Sequence, residues 1–94
     1  MSVVIVGGHD RMICQYKKIC RQYHCKVKVF TQMSGNMRDM IGTPDLLILF
    51  TNTVSHKMMR CAVTEARKCN ADVVRCHTSS GTALHEILGK SMVD

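Results

Sequence analysis

The sequence of 94 residues contains no tryptophan, one proline, two phenylalanines and two tyrosines. So few aromatic rings leave few platforms on which nucleic acid bases could stack. No apolar run approaches the roughly 20 residues that a membrane-spanning helix needs. The first residues have no basic segment ahead of their apolar stretch, unlike a secretion signal, and we expect a cytoplasmic location. Because a chain of this length buries one core, we expect a single domain over residues 1–94.

The six cysteines include no Cys-x-x-Cys pair, although six would suit a disulfide framework in a secreted protein. Most stand among apolar residues at helix or strand spacing, where free thiols behave as small buried hydrophobic groups. Cys20, His24 and Cys25 are close in sequence, but they straddle a helix end, and structural zinc sites usually take two close pairs of ligands. The pattern therefore favours buried free thiols over disulfides or zinc.

The formal net charge of +6 is compatible with an anionic partner, because basic proteins often bind nucleic acid or anionic ligands. The basic residues are scattered over several predicted elements. Two predicted helices carry most of them: Lys17, Lys18 and Arg21 in one, and Lys57, Arg60, Arg67 and Lys68 in the other. With so few aromatic residues between them, these charges favour a solvated basic surface over a nucleic acid interface.

Hydropathy alternates along the chain between strand and helix patterns. Residues 2–7 and 44–50 form continuous apolar runs, as expected of strands buried on both faces. Residues 26–31 alternate lysine and valine, which predicts a half-exposed strand near a sheet edge. Residues 71–76 are β-branched and predict a fourth strand. Apolar spacing of three and four residues predicts helices between the strands and after the last one, over 10–24, 35–42, 56–69 and 79–90, with Ser55 as the amino-terminal cap of the third.

This order predicts an α/β fold, a small three-layer flavodoxin-like or Rossmann-like sandwich with a four-stranded parallel sheet. Because the first and third strands are the most apolar, the predicted strand order is 2-1-3-4. The topological switch point then lies between strands one and three. In such sheets ligands bind at the carboxyl ends of the strands, beside that point.

Four loops meet at that edge: "GGHD" after strand one, "QMSGN" after strand two, "TNTVSH" after strand three and "HTSSG" after strand four. They are rich in histidine, glycine and hydroxyl groups. The residues expected there are Gly8, His9, Met33, Ser34, Thr51, Asn52, Ser55, His56, His77, Thr78, Ser79, Ser80 and Gly81. Three of the five histidines therefore belong to one candidate site.

Phosphate binding at this edge has weak support from motifs. Gly7 and Gly8 are present, but the Gly-x-Gly-x-x-Gly fingerprint of dinucleotide sites is absent, as is the lysine of a P-loop. A weaker anion site remains open, because helix amino termini at Asp10, Ser55 and Gly81 present unpaired amides. The Asp10 carboxylate would repel an anion, which favours the second and fourth loops.

Catalysis has less support than binding. Strand three ends in "FTN", without the aspartate of phosphoryl-accepting receivers, and His9 occupies the region where a phosphocarrier of this size would place cysteine. Ser79 or Ser80 near a histidine has the form of a nucleophile and its base, yet no carboxylate of these loops is obviously placed to orient the base. The loops therefore favour a non-enzymatic protein.

Histidine as an iron ligand is the third option. Neutral imidazole is a common metal ligand, and haem is often held by one histidine. His9 would leave a glycine turn and His56 the amino end of a helix, both towards one cleft, and eight methionines offer soft lining for an apolar plate. Alternatively, both histidines cap helices, and four methionines belong to the core: Met37, Met40, Met58 and Met59. The residues alone leave both interpretations open.

Three motifs together, "VVIVGGHD", "LLILFTNTVSH" and the "SSG" turn before a short helix, resemble the bacterial family catalogued as domain of unknown function 2325. The resemblance covers essentially the whole chain, and Ser55 with His56 is its most specific element. It implies a small Rossmann-like protein of the bacterial cytoplasm without an assigned enzyme activity. The chain departs from the family pattern at Cys76 and His77, where an apolar or basic residue is expected.

The resemblance also implies haem binding by a homodimer, with histidine ligating iron and oxygen, carbon monoxide or nitric oxide as a further ligand. Carried over by position, His56 and His9 are the candidate iron ligands. The other candidate cofactor-binding residues are Gly8, Asn52, Ser55, Ser79, Ser80 and Gly81. A homodimer is expected on size as well, because one four-stranded domain is too small to enclose a haem. The alternative hypothesis is a regulatory module that binds a nucleotide or phosphorylated metabolite at the same edge.

Overall fold

Five-residue strands alternate with helices along the chain in the computed structural model, which describes residues 1–32 and 35–91. The strands are β1 Ser2–Val6, β2 Lys26–Phe30, β3 Leu46–Phe50 and β4 Asp72–Cys76. The helices are α1 Ile13–Gln22, α2 Met37–Ile41, α3 His56–Lys68 and α4 Gly81–Ser91. Met33 and Ser34, which the sequence assigns to the candidate edge, lie outside the described residues.

The four strands form one parallel sheet in the order β2-β1-β3-β4, which confirms the predicted fold class and strand order. β1 and β3 are the central strands, and Val6 near the end of β1 stands beside Phe30 of β2 and Leu49 of β3. The carboxyl ends of these strands therefore meet at one edge. The switch point lies there, between β1 and β3.

Both faces of the sheet are covered by helices, because successive residues of each central strand point to opposite faces. One face packs against α1 and α4, and its buried strand residues are Val3, Ile5, Leu46, Ile48 and Phe50. The other face packs against α2 and α3, and its buried strand residues are Val4, Val6, Phe30, Leu47 and Leu49. Fully burying one aliphatic side chain stabilises a fold by about 1.5–3 kcal/mol. The two apolar strands thus hold both helical layers in place.

The edge strands are half exposed, as the lysine-valine alternation predicts for β2. Lys26 and Lys28 are exposed, whereas Val27 and Val29 are partly buried against the core. At the opposite edge, Val73 of β4 has 36% of its surface exposed. The charged residues of the sheet therefore lie on the two outer strands, and the two most apolar strands lie inside.

Local hydrogen bonds and backbone conformation set the start of α1 and the ends of α1 and α3. The chain forms a 3-10 turn at Asp10–Met12, closed by a bond from Met12 N to His9 O of 2.8 Å, so α1 begins at Ile13 instead of the predicted residue 10. After the last residues of α1 and α3, Gln22 and Lys68, the chain passes through His24 and Asn70, which both take the left-handed conformation at φ 58°. Left-handed residues of this kind end helices by satisfying their last carbonyl groups.

The methionines and cysteines are less buried than expected. Met37 and Met58 are core residues, but Met40 is 51% exposed, so its assignment to the core was wrong. All six cysteines are free, as predicted, yet only Cys20 is fully buried, and Cys14 is exposed. The other four lie on less covered parts of the fold, including the ends of helices and the outer strand β4. Such positions are covered on one side only, which the local apolar pattern does not reveal.

Within the described ranges, no helix combines the length and the apolar character that crossing a lipid bilayer would require.

The two cysteines of α1 should differ sharply towards alkylating agents. Burial, with a smaller contribution from Cys25, raises the pKa of the Cys20 thiol from 9.0 to about 11. Because the thiolate is the reactive form, this lowers its population at mildly alkaline pH by about 100-fold. Iodoacetamide should therefore modify exposed Cys14 in the folded protein and leave Cys20 intact, as measured by peptide mass spectrometry. After unfolding in guanidinium, both should react; rapid labelling of Cys20 in the folded protein would contradict the packing described.

Candidate functional site

Three exposed histidines occupy the carboxyl edge of the sheet. His9 follows β1 and leads into α1, His56 is the first residue of α3, and His77 follows β4. Because α1 and α3 cover opposite faces, His9 and His56 stand on the two sides of the switch point. Among the hydrogen bonds of the described residues, none involves the ring of these three histidines. Their ring nitrogens are therefore accessible to a ligand.

The glycine turn beneath His9 is tied to the third loop. Gly8 N donates to the Thr53 hydroxyl oxygen at 2.6 Å, and that hydroxyl donates to Phe50 O at 3.2 Å. Gly7 and Gly8 take φ values of 105° and 85°, which favour glycine. A β-carbon on Gly8 would lie 2.6 Å from the Tyr16 hydroxyl oxygen. Gly8 thus contributes to the site by letting the loop approach Tyr16 and Thr53, and its amide is already engaged.

Tyr16 joins α1 to the fourth loop. Its hydroxyl donates to Ser79 O at 2.5 Å, and its ring lies 5.3 Å from the ring of Phe50, between centroids. Burial raises the pKa of the Tyr16 phenol, although the hydrogen bond to Ser79 opposes part of that effect. The phenol therefore remains protonated and keeps donating at neutral pH. This bond fixes the backbone of the "SSG" turn.

Asp10 joins the first loop to the second. Its carboxylate accepts hydrogen bonds from the Thr31 hydroxyl and, at 3.4 Å, from the Gln32 amide. Both partners donate to the carboxylate, which keeps it in place beside His9. Hydrogen bonds therefore join the first loop to the second and third loops, and they join α1 to the fourth loop. The loops that carry the histidines are consequently held in place by hydrogen bonds.

The serines of the predicted site cap helices. Ser55 Oγ accepts from Met58 N at 3.2 Å, which confirms the predicted amino-terminal cap of α3. Ser80 Oγ accepts from Ala83 N at 3.2 Å and caps α4. These caps use amides that an anion would otherwise bind. Within residues 1–32 and 35–91, no hydrogen bond joins the hydroxyl of Ser79 or Ser80 to a histidine.

The two remaining residues of the predicted set differ in exposure. Asn52 is exposed in the turn after β3, where its amide is available to a ligand. Gly81 is buried at the start of α4, and a β-carbon there would lie 2.5 Å from the side-chain nitrogen of Gln15 on α1. Gly81 therefore permits close packing of α1 and α4 beneath the fourth loop. Its contribution to the edge is to place Ser79 and Ser80.

Tyr16 and Thr53 were not predicted as site residues. Tyr16 fits the apolar stripe of α1, where it is indistinguishable from a core residue, and its partner Ser79 lies 63 positions away. A buried tyrosine usually finds a hydrogen-bond partner for its hydroxyl, which is the one signal that the sequence offers. Thr53 is one of four polar residues in the loop of residues 51–55, and no local pattern singles it out.

The edge is an open surface with limited metal-binding groups. A depression of about 560 Å³ is lined by His9, Asp10, Arg11 and Met12. Across the described part of the chain, no three histidine, cysteine, aspartate or glutamate side chains form a cluster that could hold a metal ion. A site that needs one or two imidazoles from each chain is compatible with this donor set. A chelate of three or more protein ligands from the described residues is not.

Replacing Gly8 by alanine should destabilise the fold. The β-carbon would meet the buried, hydrogen-bonded hydroxyl of Tyr16 in a backbone conformation that disfavours alanine, at a cost of about 1–3 kcal/mol. Gly35→Ala is the matched control, because nothing lies within 4 Å of a β-carbon at that position. Urea unfolding should show a lower midpoint for Gly8→Ala and little change for Gly35→Ala. Equal midpoints would mean that Gly8 does not pack closely against the Tyr16 hydroxyl.

Comparisons with known proteins give one result. No significant match was found among curated proteins or among solved structures. A family model matches residues 2–91, which include all four strands and all four loops of the edge. The chain therefore belongs to the family described as "uncharacterized protein conserved in bacteria (DUF2325)".

Proposed function

We propose that the protein is a cytoplasmic homodimer that binds haem at the carboxyl edge of the sheet through His56 or His9. The observation that supports this most is the pair of exposed imidazoles on the two sides of the switch point, carried by loops that hydrogen bonds connect. Ligand sites of open parallel sheets lie at this position. Imidazole is also the side chain that most often ligates haem iron in binding proteins.

The residues at the edge fit a haem better than a small metal ion. Haem iron takes one or two protein ligands, whereas structural metal ions take about four, and the described residues offer no cluster of three. His56 begins α3 immediately after its cap Ser55, whose bond to Met58 fixes the start of the helix. His9 stands above a glycine turn that is fixed by Thr53. Both imidazoles are thus carried by backbone that is held by hydrogen bonds.

The haem, held by His56 or His9, would supply an iron centre that binds oxygen, carbon monoxide or nitric oxide. The protein's own contribution is to hold the imidazole and to exclude water from the apolar porphyrin ring. Met12, which is partly buried beside His9, supplies a polarisable apolar contact. Asn52 is exposed near His56 in the third loop, where its amide could hydrogen-bond a polar group of the ligand.

A second copy of the chain is needed to bury the porphyrin ring of the haem. The depression beside His9 is open to solvent, and binding pockets usually cover most of their ligand's surface. Two copies related by a twofold axis would bring one edge against the other. The proposal of a homodimer therefore follows from the open shape of the edge.

Replacing the ligating histidine should abolish specific haem binding without unfolding the protein. His56→Ala and His9→Ala remove exposed rings, so circular dichroism should be unchanged. The variant that lacks the ligand should lose the sharp Soret band and bind hemin at least about tenfold more weakly, which corresponds to about 1.4 kcal/mol. His24→Asn is the control, because His24 is exposed at the end of α1 in a left-handed conformation that asparagine tolerates.

Reduction under carbon monoxide should then shift the Soret band of the wild-type complex, as expected for an open axial position. If both alanine variants and the control take up hemin like the wild type, neither histidine is a ligand. If the wild-type protein shows only broad, unsaturable hemin absorption, the haem proposal is wrong.

Haem loading should promote dimerisation. Because the plate bridges two edges in this proposal, sedimentation velocity should show a larger dimer fraction at saturating hemin than in its absence, at the same protein concentration. The His variant that fails to bind hemin should show no such change. A fully loaded protein that sediments as a monomer would contradict the shared site while leaving haem binding itself intact.

A further inference from the structure

A second concave site lies between α2 and α3, and its lining includes Lys57, the residue after His56. This cleft has a volume of about 500 Å³. Its lining side chains are Arg38, Asp39, Lys57, Arg60, Cys61 and Thr64. It contains three cationic groups and one carboxylate, and it shares no lining residue with the depression beside His9.

The three cations converge on the cleft. Lys57, Arg60 and Thr64 follow one another at the spacing of three and four residues that places side chains on one face of a helix. Arg38 faces them from α2 across the cleft. Lys57 also belongs to the first turn of α3, where the helix dipole adds positive potential. The cleft therefore carries a positive field from two helices.

These charges are only partly neutralised by the neighbouring protein. In the described ranges the one ion pair joins Lys68 to Glu65, so Glu65 does not compensate Arg38, Lys57 or Arg60. Asp39 is the one acidic residue that lines the cleft. Gathering like charges costs free energy through mutual repulsion, and a bound anion removes that cost. The arrangement favours a ligand with more than one negative charge.

We propose that this cleft binds the diphosphate group of a nucleotide or of another phosphorylated small molecule. Arginine offers a planar fork of donors that matches phosphate oxygens, and lysine adds a mobile point charge. Two arginines and one lysine around a concave surface suit two adjacent phosphates. The proposal rests on the cleft alone and is independent of haem binding.

A compact ligand is favoured over a nucleic acid strand. Arg67 and Arg75 line a smaller depression that shares Arg60 and Thr64 with the cleft but does not include Arg38 or Lys57. The chain also has two phenylalanines, two tyrosines and no tryptophan, which leaves few rings for base stacking. Arg67 therefore provides a variant that separates the two classes of ligand.

The test is titration with inorganic pyrophosphate, followed by isothermal calorimetry and amide chemical shifts. Wild-type protein should bind it with shifts confined to α2 and the first two turns of α3. Combining Arg38→Gln, Lys57→Gln and Arg60→Gln should weaken binding at least about tenfold, because each change removes a charged donor. The control combines Lys17→Gln, Lys18→Gln and Arg21→Gln, three exposed changes on α1 with the same loss of charge, and should keep the wild-type affinity.

Asp39→Asn gives the opposite expectation. Removing the carboxylate from the cleft should strengthen pyrophosphate binding by about threefold or more. Asp72→Asn removes the same charge at the start of β4 and should leave the affinity unchanged. An increase in both variants would reflect net charge alone and would overturn the proposal.

Three further results would also overturn it. These are the absence of saturable binding to wild-type protein, equal loss of affinity in the α1 control, and an equal loss of affinity in Arg67→Gln, which would indicate a diffuse polyanion surface.

Hemin titration of the triple cleft variant distinguishes this site from the haem proposal. Unchanged hemin affinity together with lost pyrophosphate binding supports two separate sites, and loss of both would mean that the cleft serves the acidic groups of haem instead of a diphosphate.

Discussion

Burial of β1 and β3 on both faces is the constraint on which the rest of the structure depends. Residues Val3–Val6 and Leu46–Phe50 are all buried, so each strand needs a helical layer on either side. Right-handed crossovers then place α1 and α4 on one face and α2 and α3 on the other. The carboxyl ends of the two strands are left at one edge, with their connections leading to opposite faces. The position of the histidines follows from this topology and not from any local preference of the histidines themselves.

The sequence predicts the fold well because its signals are periodic. Continuous apolar runs identify the central strands, lysine-valine alternation identifies the edge strand, and spacing of three and four identifies the helices. The failures have a common physical origin. Met40 was assigned to the core, but the outer side of a short helix is exposed to solvent. The contacts of Tyr16 with Ser79 and of Gly8 with Thr53 join residues 63 and 45 positions apart, and no local pattern encodes them.

The candidate site combines predicted residues with unpredicted support. Sequence reasoning brought His9 and His56 to one edge through topology alone, and it identified Ser55 as a cap. It did not reveal that three of the predicted residues have structural roles. Gly8 lets the first loop pack against Tyr16 and Thr53, Ser80 caps α4, and Gly81 lets α4 pack closely against α1. The two proposals meet in the first turn of α3, where His56 and Lys57 are consecutive. A ligand in the cleft would therefore act on the same helix end that presents one imidazole to the edge.

The lysines of β2 have a consequence for how copies of this chain meet. An edge strand offers unpaired backbone groups to any other strand. Lys26 and Lys28 are exposed on this strand, and Lys28 Nζ donates to Met40 O at 2.8 Å, so extending the sheet there would bring cationic side chains of two copies together. β2 also covers the edge of β1, whose apolar sequence would be prone to aggregation if it lay outermost. β2 thus separates the aggregation-prone strand β1 from other copies of the chain. Its positive charge directs self-association away from the β2 side of the sheet.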